Sequence, residues 1–201
     1  RSADLIVAGG ALLRREGNYR AADPAELAML SGRPVLVAPP KAGKFHGRAV
    51  VVAWKDTREA RRALADAMPF LKAADQVVWM AYDEHTAATA AGPVAGLPWV
   101  SRTLAAATAA VRADKLLLGV AGYGYAWPAQ GPGRDLTVAE AQARAGQPGA
   151  TAEFDTVEQE WHVRASDGTQ AWYSDARSKA ARAALATERH LAGVALWRLG
   201  A

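Results

Sequence analysis

The sequence predicts an α/β fold, a parallel core of six βα-type strands with a small antiparallel β insertion at about residues 151–173. Three observations carry that expectation. Short β-branched runs recur with helical stretches between them, the pattern of parallel βα units. The runs are apolar throughout rather than alternating, as strands covered on both faces should be. One stretch breaks the alternation with short strands set close together around a turn signal.

The first strand is read at Asp4-Leu5-Ile6-Val7-Ala8. Asp23 follows as an N-cap, with Pro24 at the first helical position, Glu26 three residues on from the cap and Gly32 as a stop. Pro34–Ala38 and Ala49–Trp54 are the second and third strands. Asp56 with Glu59 has capping-box spacing, and the helix from Thr57 to about Met68 sets Ala60, Leu64 and Ala67 on one face, with Pro69 after its end. Gln76–Tyr82, Lys115–Val120 and Gly193–Trp197 complete the six. Thr137 and Glu140 form a second capping-box pair. The insertion reads as Ala152–Asp155, Glu160–Arg164 and Gln170–Tyr173, with Ser166-Asp167-Gly168 turning between the last two. Residues 39–44 and 130–133, rich in Gly and Pro, read as linkers.

Composition narrows the functional classes. The 201 residues are 51% hydrophobic and 22% charged, which is ordinary for a globular chain and excludes collagen, coiled coil and disorder. No apolar run approaches the ~18–20 residues of a membrane span. Cysteine is absent, which removes disulfides, thiolate metal sites and cysteine nucleophiles together. The chain begins at Arg1 without a basic-then-apolar leader, so a processed or partial chain is expected and the compartment is left open. The first 80 residues hold 13 Lys+Arg against 8 Asp+Glu. Arg58, Arg61 and Arg62 share one helix with Glu59, so this excess reads as a solvated face and no nucleic-acid partner is expected.

Several chemistries lack their motifs. Gly9-Gly10 and Gly122-Tyr123-Gly124 follow strands, yet neither completes a dinucleotide fingerprint, and no P-loop exists. There the glycines read as sharp turns off strand ends. Neighbouring side chains such as Asp83-Glu84-His85 seldom converge on one ion, and the four histidines show no i, i+4 pair, so no metal is expected. No serine stands in a nucleophile elbow. What remains is a set of aromatic and acidic residues at strand ends: Tyr82 and Asp83 after the fourth strand, Tyr123, Tyr125 and Trp127 after the fifth, and Trp197 ending the sixth. In parallel α/β folds the carboxyl ends of strands are where ligands bind. These residues read equally as a sugar-binding surface or as padding of the core and its rim.

Two family resemblances follow from particular runs. From about Met80 to Ala201 the chain resembles the C-terminal part of a family-18 glycoside hydrolase, the chitinase and spore-lytic group. The motifs are Met80–His85, Gly92-Pro93-Val94, Leu97–Val100, Lys115–Val120, Tyr123–Trp127, Trp172–Ser178 and Gly193–Gly200. The resemblance implies the last three βα units of a TIM barrel, with residues 151–173 as the family's inserted domain. Residues 1–79 resemble a tandem universal stress protein, a flavodoxin-like fold, on Asp4–Gly10, Gly32–Pro40 and Val51–Ala60. That family's phosphate loop is degraded here: Leu12-Leu13-Arg14-Arg15 follows Gly9-Gly10, and no Gly-Ser pair closes it. The two resemblances meet near Val78-Trp79-Met80, which suggests a chimera packed as one domain.

The family-18 resemblance implies substrate-assisted hydrolysis, with a glutamic acid ending a D-x-x-D-x-D-x-E motif as proton donor. That motif is missing from the 201 residues. Tyr82, Asp83 and Trp197 match positions that hold the N-acetyl group and floor the sugar subsite. The expectation is therefore a non-catalytic or very weakly active scaffold that retains part of a site for N-acetylglucosamine oligosaccharides, with no cofactor. The alternatives are an active glycosidase whose acid comes from another chain, and a nucleotide-binding stress-type module. Six strands fall short of the eight that close a TIM barrel, so either an open doubly wound sheet or an incomplete barrel is expected. Unpaired strand edges recruit other chains, so a homodimer is expected as well.

Overall fold

The computed structural model of the chain describes residues 4–9, 23–39, 41, 43–55 and 57–198. Gly10, the Leu12–Arg15 run, Pro40 and Asp56 therefore lie outside the described residues. β1 (Ile6–Gly9) and β2 (Val35–Ala38) pair in parallel around α1 (Pro24–Ser31). Asp23 caps α1 by accepting from the Ala25 amide at 2.8 Å, and Gly32 closes it at φ 62°, a conformation that costs glycine little.

β3 (Ala49–Ala53) leads into α2 (Arg58–Ala73), β4 (Gln76–Met80), α3 (Leu97–Ala110) and β5 (Leu116–Ala121). Thr57 caps α2, its hydroxyl accepting from the Ala60 amide at 3.2 Å. The helix continues through Pro69 to Ala73, one turn beyond the expected stop. Burial explains the extension: Leu71, beyond the proline, is fully enclosed in the core, and that contact offsets the hydrogen bond that proline cannot donate.

The next elements correct the expected insertion. β6 (Tyr123–Trp127), β7 (Arg134–Thr137), α4 (Val138–Ala145), β8 (Thr151–Asp155), β9 (Glu160–Arg164) and β10 (Gln170–Tyr173) precede α5 (Ala176–Glu188) and β11 (Gly193–Trp197). The antiparallel sheet has five strands in the order β7-β6-β10-β9-β8, so the insertion begins at Tyr123 rather than near 151. Tyr123, Tyr125 and Trp127 are thus not the tail of the fifth parallel strand. They form a separate strand that leaves the parallel sheet at Gly122 and pairs with β10, Tyr125 opposite Trp172. The apolar run through 116–127 conceals this break, because both strands are half-buried or better. α4 covers one face of this sheet, with Ala126, Leu136, Ala141, Val163 and Ala171 between them. It starts with the expected capping box of Thr137 and Glu140.

Where one six-stranded core was expected, the six parallel strands divide between the two-stranded β1–β2 sheet and a four-stranded sheet in the order β11-β5-β4-β3. Chain order runs along it with no reversal, the arrangement of a barrel arc; a doubly wound sheet would show a switch point. Val77, Trp79, Leu116 and Leu118 point to the helix side and are fully buried against α2, α3 and α5. Trp54, just past β3, lies on Trp79 with ring centroids 4.9 Å apart. The outer strands are barer: Val51 of β3 is 62% exposed and Leu196 of β11 is 50% exposed. No helix among the described residues is long and apolar enough to cross a membrane.

Candidate functional site

Strands β4, β5 and β11 run side by side in one direction, so their carboxyl ends form a common rim. Tyr82 and Asp83 leave β4 at this rim. Gly119 of β5 makes room for Tyr82: a Cβ there would come within 2.9 Å of the Met80 Cα and 3.1 Å of the Tyr82 ring. Tyr82 is accordingly buried, a wall of the core more than a surface for a ligand.

Asp83 adopts φ 64°, an uncommon left-handed conformation for a residue with a Cβ. The chain around it is held on its C-terminal side, where the Glu84 amide donates to the Val94 carbonyl at 2.9 Å. The bend turns the Asp83 carboxylate toward β6. There the hydroxyls of Tyr123 and Tyr125 both donate to Asp83 Oδ1, the second at 2.9 Å. Residues 123, 125 and 127 share a face because strand side chains alternate. Trp127 extends the row: its indole N–H donates to the Thr86 carbonyl at 3.2 Å, pinning the loop after Asp83.

Burial pushes the Tyr123 and Tyr125 phenols well above the ordinary tyrosine range, and bonding to the Asp83 carboxylate pushes them further. Tyr82 moves the same way, first by burial and then by the nearby Asp83 charge. These phenols stay neutral and act as donors, holding one carboxylate oxygen in place. Oδ2 of Asp83 accepts no protein hydrogen bond among the described residues. Trp197 stands apart from the cluster. It is 54% exposed at the end of β11, beside Ala121, and its carbonyl accepts from the Gly122 amide at 2.6 Å. The structure thus brings Asp83, Tyr123, Tyr125 and Trp127 together, with Tyr82 behind them and Trp197 on the same rim.

The three neighbours Asp83, Glu84 and His85 diverge, as expected. Glu84 accepts from the Gly96 amide at 2.9 Å, while a ring nitrogen of His85 lies 3.1 Å from the Pro93 carbonyl. No acidic or histidine cluster fit to hold a metal occurs among the described residues. A cavity of about 850 Å³ lies elsewhere, between α1, β2 and α2, lined by Met29, Leu36, Arg62 and Phe70 among others and by none of the candidate residues.

Sequence reasoning missed a buried ion pair close by. Glu160 and Arg182 are both enclosed, with Arg182 Nη2 3.2 Å from Glu160 Oε1. Burial pushes the Glu160 carboxyl up and the Arg182 guanidinium down, and each charge opposes the other's shift. A signal for Arg182 exists in the sequence: it shares a helical face with Ser178, Leu185 and Ala186, all buried. A charge on such a face needs a partner.

Comparison with known proteins agrees with this architecture. The uncharacterized glycosylase YvbX of Bacillus subtilis is 26% identical over 141 residues, covering 64% of this chain and 39% of that protein. YdhD of the same organism, named provisionally as a sporulation-specific glycosylase, is 33% identical over 132 residues, covering 60% and 30%. The chain thus spans well under half the length of these curated relatives. Among solved structures, a chitinase from Chromobacterium violaceum superposes with a TM-score of 0.64 at 30% identity, over 87% of this chain and 53% of that one. A family-18 chitinase from Cycas revoluta, solved in complex with (GlcNAc)3, superposes with a TM-score of 0.53 at 23% identity, over 87% and 54%.

These matches bear on the reading of residues 46–79. The sequence profile of Glycosyl hydrolases family 18 matches residues 46–201, passing without a break through Val78–Met80, where a join was expected. β3 and β4 also pair in one sheet, Val51 opposite Val78. Nothing found supports the universal stress protein resemblance, the chimera or a flavodoxin-like fold, and the nucleotide-binding alternative rested on that resemblance alone. The motifs from Met80 onward and the profile match agree on one assignment: the chain belongs to Glycosyl hydrolases family 18.

Proposed function

We propose that this chain binds N-acetylglucosamine-containing oligosaccharides at the strand rim and turns them over weakly or not at all. The observation that carries the reading is Asp83, with one carboxylate oxygen held by two tyrosine hydroxyls and the other without a protein partner among the described residues. Such an oxygen suits an amide N–H or a hydroxyl of a sugar, and charge-assisted hydrogen bonds are the strong ones. Trp197 offers an exposed indole face on which a pyranose ring can lie. Tyr125 and Trp127 flank the space, while Tyr82 and Tyr123 shape its floor from behind. The chitinase relatives, one of them solved with an N-acetylglucosamine trimer, support this ligand class.

Weak turnover follows from the acids. Glycoside hydrolysis needs a carboxylic acid beside the leaving oxygen, and losing such an acid costs ~10²–10⁴-fold in rate. Asp83 is bonded to the phenols through one oxygen and assigned to the sugar through the other, Glu84 is bonded to the Gly96 amide, and Glu160 is enclosed. The D-x-x-D-x-D-x-E motif does not occur in these 201 residues, and the weak-turnover reading is of this stretch of chain alone. A second copy pairing along the open edges of β3 or β11 belongs to the same reading, and a monomeric mass by light scattering removes it.

Calorimetric titration with chitotetraose tests binding. A measurable affinity, lost in Trp197→Ala and Asp83→Ala, supports the site; no heat at millimolar sugar rejects it. Release of chromophore from a chromogenic chitobioside as fast as an active chitinase releases it, abolished in Asp83→Ala, rejects the weak-turnover half.

A further inference from the structure

Asp83 comes from the loop after β4, whereas its two phenol donors come from the antiparallel sheet. Their bond therefore requires two layers to be held in register. Glu160, the first residue of β9, stands where those layers meet. Its carboxylate accepts from the Val94 amide at 2.7 Å, the Ala95 amide at 3.1 Å, the Ser174 hydroxyl at 2.6 Å and Arg182 at 3.2 Å. Val94 in turn accepts from the Glu84 amide, the residue after Asp83, and Glu84 accepts from Gly96. Ser174 directly follows β10 and donates its amide to the Tyr123 carbonyl at 3.0 Å. Arg182 completes the clamp from α5, donating to the carbonyls of Ala95, Glu158 at 3.1 Å and Gln159 at 2.6 Å.

The geometry points to Glu160 as the positioning residue of this site. It ties the loop that bends Asp83 to the sheet that presents Tyr123 and Tyr125. Glu160 touches no ligand; it acts through the 94–96 loop on one side and Ser174 on the other. The role is more specific than stability, because one carboxylate reaches both halves of the site within two hydrogen-bonded steps. A buried pair of this kind is weak evidence for stability, since well-packed apolar residues often replace it without loss. Register between elements is the better-attested use of such pairs. The inference rests on the sugar-site reading for its ligand, though not for its geometry.

The test combines two readouts on the whole chain. Tyrosine ionisation followed by absorbance at high pH reports the Asp83–phenol contact directly, whether or not sugar binds. Chitotetraose titration reports the ligand. Glu160→Gln should shift the ionisation of the two bonded tyrosines downward, in the direction of Asp83→Asn, and weaken binding about tenfold. Far-UV circular dichroism should stay native. Ser174→Ala removes one donor only and should shift ionisation the same way by less, and it decides the matter if Glu160→Gln does not fold. Leu71→Ala, a core truncation in α2, should lower stability and leave ionisation in place. Wild-type ionisation in Ser174→Ala and in any folded Glu160→Gln overturns the inference. An equal shift in Leu71→Ala overturns it too, by showing a merely structural effect. If the wild type binds no sugar while ionisation shifts as expected, the ligand reading fails and the positioning role stands.

Discussion

The Tyr125 hydroxyl donates to Asp83 Oδ1 at 2.9 Å, joining the first strand of the antiparallel sheet to the loop that leaves the parallel one. Tyr123 donates to the same oxygen. Both phenols are held above their ordinary range, so the folded state keeps protons that the unfolded chain would release. The unfolded phenols titrate near pH ~10, and above that the folded state binds more protons, so stability falls as pH rises. Denaturant midpoints should therefore be level between pH 8 and pH 9 and drop by pH 11. Asp83→Asn removes the charge, should bring both phenols down in an absorbance titration, and should flatten the drop.

Glu84 gives the opposite end of the pH scale. Burial, its largest cause, pushes this carboxyl up, while the Gly96 amide partly opposes the shift. A raised carboxyl contributes stability below its unfolded value near ~4.3 that is lost as pH rises through the folded value. Glu84→Gln keeps an acceptor for Gly96 and removes the buried charge. It should stabilise the protein at pH 7 relative to wild type, with the difference shrinking toward pH 4. Equal differences at both pH values would contradict the burial argument.

Gly119 is required by close approach rather than by conformation. Its Cβ would lie 2.9 Å from both the Met80 Cα and the Trp79 carbonyl, which are backbone and cannot swing away. Gly119→Ala should cost about 1–3 kcal/mol by denaturant unfolding and displace Tyr82, weakening chitotetraose binding in the same variant.

Pro69 sits exposed inside α2, four residues before the helix ends at Ala73. It removes a backbone hydrogen bond that Leu71 burial offsets. Pro69→Ala should raise stability by about 1–3 kcal/mol, the bond outweighing the lost rigidity of the unfolded chain. A thermal melt without an upward shift would show that the helix is already relaxed around the proline.

Local signals told much of this structure. Six parallel strands, the caps at Asp23 and Thr137, and the stop at Gly32 depend on neighbours in the chain, and each is found where the residues place it. Asp83 and the 123, 125, 127 row were legible as a candidate site from residue type and spacing. The family was legible too, from Met80 onward. The resemblance read for the front half found no support: its βα pattern is shared by many folds, and a pattern of short apolar runs and helix caps does not distinguish one from another.

Chain order along the sheet, the strand break at Gly122 and the Glu160–Arg182 clamp were decided only in three dimensions. Residue type fixes which segments form strands and which faces are apolar, because those preferences act over one or two turns. Which strand lies beside which, and which carboxylate meets which guanidinium 22 residues away, depends on how the layers close on one another. Packing and buried charge act through space, and a linear sequence carries no record of distance.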